Sequence, residues 1–102
     1  MEYTYEQIVN GINEGTIDEV RFSVTIYSHY KNCVLRRVYL NIGGINSFEC
    51  IEMVLTKDGS ERSRYHGPFH DRYRLFNIKG RGRFTLREIF KYVEIKEVVP
   101  HK

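Results

Sequence analysis

A chain of 102 residues matches the commonest size of a single domain and can bury one core without disulfide staples. Hydrophobic residues make up 41% and charged residues 28%. These are near-globular values that exclude wholesale disorder, and every apolar run falls far short of the ~20 residues a membrane helix requires. The net charge of +3 conceals a polarised molecule: eight basic side chains against Asp71 alone give residues 62–87 a charge of +7, which leaves −4 on the remainder.

Eight Tyr and six Phe with no Trp give an apolar content that suits half-buried strands better than long helices. The opening MEYTYEQIV has neither the basic start nor the apolar run of a signal peptide. Cys33 and Cys50 show no CxxC spacing. The chain therefore reads as one cytoplasmic domain over 1–102 with reduced thiols and no membrane segment.

Thr4 and Gln7 form a capping box ahead of the stripe Tyr5, Ile8, Val9 and Ile12, and Gly15 supplies a left-handed stop, predicting a helix over 5–14. Gly11 within it costs up to about 1 kcal/mol relative to Ala, so docking must hold the helix. From Glu19 the period becomes two. Val20, Phe22, Val24 and Ile26 predict a strand with one buried face, and Tyr30-Lys31-Asn32 reads as the turn into a second strand whose inward residues are Val34, Arg36, Val38, Leu40 and Ile42. Arg37, Tyr39 and Asn41 are then expected on the outer face with Arg21 and Tyr27.

Residues 46–57 fit two patterns. FECIEMVL suits a buried strand, but Phe48, Ile51, Val54 and Leu55 also fall on one helical side, and Asn46 with Glu49 and Asp58-Gly59 offer a start and a stop; a helix is expected. Residues 57–71 carry no period and contain Gly59, Gly67 and Pro68, predicting a long loop. Residues 72–78 alternate as a third strand, with Phe76 and Ile78 on one face. Lys79-Gly80-Arg81-Gly82-Arg83 reads as a turn. Thr85 and Glu88 form a second capping box, and Phe84 with Ile89 a hydrophobic staple, so a short helix should run from Leu86 to about Lys91. Val93, Ile95 and Val99 predict a closing strand ended by Pro100. The expected fold is α+β, in the order α-β-β-α-β-α-β, with a mostly antiparallel sheet of about four strands and two to three short helices.

The basic segment supplies the candidate site. Arg62, Arg64, Arg72, Arg74, Lys79, Arg81, Arg83 and Arg87 can neutralise phosphates, and Tyr65, Phe69 and Tyr73 are candidate stacking rings for single strands. Gly80 and Gly82 let a backbone approach an anion ahead of the helix amides at Leu86. The segment lacks the spacing of a phosphate loop, an RNA-recognition signature or a zinc finger. A metal site from Cys33, Cys50, His66 and His70 has no ligand spacing behind it, and Gly67-Pro68 between the two histidines opposes a helical pair. His29 and His101 have no evident partner. No nucleophile elbow or carboxylate pair is present. The expected function is thus a binding module rather than an enzyme, with no cofactor and no metal. Its partner is nucleic acid or, alternatively, an acidic protein surface, and a phosphate-ligand or metal-dependent enzyme is the remaining class.

The opening TYEQIVNGINEG and the tail KGRGRFTLREIFKYVEI resemble small accessory proteins of Gram-positive phages and conjugative elements. The resemblance implies no activity. It implies a context in which such proteins act by binding a macromolecule of the host or the element, including as interaction or inhibitor modules.

Overall fold

The computed structural model describes residues 2–26, 28–42, 45–57, 60–67 and 74–102; the side chains of residues 28–29, 39–50 and 57–67 lie outside that description. Helix α1, Tyr5–Glu14, forms where its capping box places it: the Gln7 amide donates to the Thr4 hydroxyl at 3.1 Å and the Thr4 amide to the Gln7 side chain at 2.8 Å. Gly15 ends it at φ 90°, in the left-handed conformation an L residue avoids. Six strands follow in the next part of the chain: β1 Ile17–Ile26, β2 Ser28–Ile42, β3 Ile45–Lys57, β4 Ser60–Gly67, β5 Phe76–Ile78 and β6 Gly82–Phe84. Then come α2 Leu86–Ile89, a 3-10 turn Phe90–Tyr92 and β7 Val93–Pro100. The main sheet is antiparallel in the order β4-β3-β2-β1-β7, and β5 and β6 make a separate hairpin.

The α+β class and the antiparallel sheet agree with expectation, as do α1, the capped start of α2 and the closing strand. Residues 46–57 do not form a helix. They belong to β3, paired with β2 from Tyr30↔Lys57 to Ile42↔Ile45. Its buried apolar residues are Ile51, Met53 and Leu55, at a spacing of two. The helical stripe was a coincidence of an apolar run whose two periods overlap, and a long strand partner decided between them. The expected loop over 57–71 is likewise corrected, because β4 occupies Ser60–Gly67 and pairs with β3. The third strand is shorter than 72–78, covering Phe76–Ile78, with Phe76 and Ile78 buried; residues 72 and 73 lie outside the described residues.

One irregularity reverses a face. Val24 pairs with Tyr30 and Phe22 with Cys33, so β2 carries an extra residue at Lys31-Asn32, both exposed. Those residues form a bulge inside β2 rather than the hairpin turn. A bulge shifts the two-residue phase. Below it the core side of β2 is therefore Cys33 and Leu35, both 0% exposed, and not the expected row of Val34, Arg36 and Val38. Arg37 consequently lies on the α1 side, opposite to the face expected, where its Nη1 donates to the Ile12 carbonyl at the C-terminal end of α1. A cation there satisfies an end carbonyl and complements the helix dipole.

The core lies between the sheet and one covering layer. α1 contributes Tyr5, Ile8 and Ile12; the sheet contributes Val20, Phe22, Val24, Tyr30, Leu35, Met53 and Leu55; and the C-terminal elements contribute Phe76, Ile78, Leu86 and Ile89. Tyr30 ties the β5–β6 hairpin to the sheet. Its hydroxyl donates to the Asn77 carbonyl and accepts from the Asn77 amide, each at 3.0 Å, and its ring meets Phe76 edge-on with centroids 5.6 Å apart. On the opposite face a charged row crosses four strands. Glu97 lies 3.8 Å from Arg21, Arg21 2.9 Å from Glu19, Glu19 4.0 Å from Arg36, and Arg36 2.7 Å from Glu52. The edge strand β7 carries Lys96 at a register shift, where it has no opposite residue in β1; an edge lysine at a bulge discourages pairing with another sheet.

Gly11 is where α1 approaches β1. A β-carbon there would lie 2.7 Å from Ile17 Cγ1, and Ile17 is itself buried. Gly11→Ala gains up to ~1 kcal/mol of helix propensity but overpacks the contact at about 1–3 kcal/mol. A net loss of up to about 2 kcal/mol is expected in urea unfolding. A variant more stable than the parent would show that Ile17 swings clear.

Candidate functional site

The described part of the basic segment is built on the β5–β6 hairpin and α2. The turn between the strands closes with the Arg81 amide donating to the Ile78 carbonyl at 2.9 Å. Gly80 at φ 79° and Gly82 at φ 102° allow the reversal, and a β-carbon on either would meet nothing within 4 Å. Lys79 and Arg81 are exposed on this turn and Arg83 on β6, opposite Asn77. Behind it, Arg74 Nη1 donates to the Arg83 carbonyl at 3.3 Å and to Glu88 Oε1 at 2.9 Å. Arg87 pairs with Glu6 of α1 at 3.1 Å, its guanidinium carbon 4.5 Å from the centroid of the Tyr5 ring. The C-terminal elements are thereby joined to α1 through an ion pair and a cation–π contact.

The second capping box has the expected geometry: the Glu88 amide donates to the Thr85 hydroxyl at 3.1 Å, and the Thr85 amide to Glu88 Oε1 at 2.8 Å. The hydrogen bond from the Thr85 amide, then the Thr85 hydroxyl and Arg74, hold the Glu88 carboxyl below its usual range. The Thr85 and Glu88 amides are thus both taken up by the cap itself, and α2 is a single turn of four residues.

The structure brings Arg74, Lys79, Arg81, Arg83 and Arg87 onto one local assembly. Arg62, Arg64 and Tyr65 are backbone members of β4, paired with β3, at the far edge of the main sheet from β7. Phe69, Arg72 and Tyr73 lie outside the described residues. Sequence reasoning missed Lys91 and Tyr92, which follow α2 in the 3-10 turn, with Lys91 Nζ 5.1 Å from the Tyr92 ring centroid. At 37% exposure Tyr92 is the one large apolar side chain left in solvent among the described residues. The available signal was the Lys-Tyr pair directly after a capped helix.

The thiol and histidine candidates fare differently. Burial pushes the Cys33 thiol up to about 11, against lesser opposing effects of the Thr56 backbone and Lys96. A neutral, buried thiol is neither a nucleophile nor a ready metal ligand. Residue 66 is in backbone register with Glu52, in the row that carries Arg36, whereas Cys33 lies in the row of Phe22. Among the described residues no group of three His, Cys, Asp or Glu side chains could hold a metal. His101, expected to be alone, has Nδ1 3.0 Å from Asp18 Oδ1 and donates its amide to the Thr16 carbonyl at 3.0 Å. Also among the described residues, no helix is long and apolar enough to cross a membrane.

Comparison with protein-family models, curated proteins and solved structures finds no match to this chain.

Proposed function

We propose that this protein is a small binding module whose basic surface, centred on the β5–β6 turn, engages a polyanion, and that the polyanion is nucleic acid. The observation that carries the reading is the exposed group of Lys79 and Arg81 on the hairpin turn and Arg83 on β6, the hairpin being fastened to the sheet by the Tyr30 contacts, with Arg74 and Lys91 also exposed nearby. Glu88 and Glu6 are ion-paired with Arg74 and Arg87, and Lys79, Arg81 and Arg83 reach solvent beside them. Arginine forks match phosphate geometry, and each neutralised phosphate releases counterions.

Fluorescent single-stranded RNA and DNA titrated at several ionic strengths should show affinity falling linearly in log salt. Arg81→Ala with Arg83→Ala should leave the melting temperature within the spread of exposed substitutions and lower the salt slope by about two. No binding at low salt would remove the nucleic-acid reading and direct attention to an acidic protein partner. Early melting of the double variant would instead make the turn arginines part of the scaffold.

A further inference from the structure

A groove of about 200 Å³ opens beside the basic turn. Ile26, Ile78, Phe84 and Ile89, all buried or half-buried, make its floor, and the exposed Arg81, Lys91 and Tyr92 stand at its rim. The acid on the lining, Glu88, is engaged by Arg74 and by the Thr85 amide. Pockets that enclose a drug-sized ligand run to ~300–1,000 Å³, so this one accepts a single ring while the rest of its ligand stays outside. An apolar slot with an exposed aromatic side chain and cations around its mouth is complementary to a flat ring joined to an anionic backbone.

We propose that this groove is a stacking slot for one base of a single-stranded nucleic acid, with Tyr92 as the platform and the flanking phosphates on Lys91 and Arg81 at its rim. The assignment rests on the polyanion reading above and adds to it a base-dependent contact that charge alone does not provide.

The test compares a fluorescent oligothymidine with an abasic deoxyribose-phosphate strand of equal length. The base-bearing strand should bind about tenfold more tightly, the scale of one base–aromatic stack. Tyr92→Ala should abolish that preference without changing the salt slope, while Tyr92→Phe keeps it. Tyr92→Leu, which retains an apolar side chain but no ring, should also lose it and guards against a folding defect in the alanine variant. Arg81→Ala should weaken both strands equally and lower the slope. Equal affinity for the two strands, or a preference that survives Tyr92→Ala and Tyr92→Leu, overturns the slot while leaving the polyanion reading in place. Failure of both strands to bind at low salt overturns the two together.

Discussion

Tyr30→Ala is expected to cost about 3–5 kcal/mol, the range for deleting a buried aromatic ring. The ring is 3% exposed, packs edge-on against Phe76, and carries both hydrogen bonds to the Asn77 backbone. It is thus a direct fastening of the β5–β6 hairpin, and with it the candidate site, to the main sheet. Tyr30→Phe separates the two contributions, since it keeps the ring and removes a hydroxyl worth about 1 kcal/mol. Urea unfolding measures both, and amide exchange of residues 76–84 should accelerate in the phenylalanine variant before global stability is much affected. A Tyr30→Ala protein within about 1 kcal/mol of the parent would show that other contacts secure the hairpin.

The second large effect is expected on the opposite face. Arg36 approaches Glu52 with Nη2 at 2.7 Å and Nε at 2.9 Å, and the Glu52 side chain is only 8% exposed. Arg36→Ala removes both of these donors from a carboxylate that water reaches poorly, at about 1.5–3 kcal/mol. The lower part of that range applies, because Arg36 itself is 39% exposed and partly screened. Replacing both partners, Arg36→Met with Glu52→Leu, should recover most of the loss, since apolar residues of similar size often substitute for a buried pair without penalty. A double-mutant cycle reads the coupling directly. A coupling near zero would mean that Glu52 is held by its other contacts and that the pair is ornamental to stability.

The two substitutions also bear on function through different routes. Loss of Tyr30 should impair polyanion binding, because it loosens the platform that presents Lys79, Arg81 and Arg83. Loss of Arg36 should not, because the charged row lies across the sheet from α1 and the hairpin.

Local signals in the sequence determined the local structure. Thr4 with Gln7 and Thr85 with Glu88 set both helix starts, because a capping box is closed by residues three apart and needs nothing distant. Gly15 set the stop of α1, and the alternation Val20-Phe22-Val24 set β1 and its buried face. The composition and the crowding of arginines after residue 62 likewise marked where to look for a binding surface. What the tertiary structure alone decided depended on partners far along the chain. The run at 46–57 satisfies both a helical and an extended period, and only pairing with the long β2 selects the strand. The strand at Ser60–Gly67 has no period of its own and forms because β3 offers it a ladder. The extra residue at Lys31-Asn32 moved Arg37 to the helix side, a reversal that composition cannot announce, since a bulge changes the phase without changing the residues. The groove beneath Tyr92 is assembled from Ile26 on β1, Ile78 on β5, Phe84 on β6 and Ile89 on α2. Ile26 lies 52 positions before Ile78 and meets the other three only because the β5–β6 hairpin and α2 fold back over the same face of the sheet as α1.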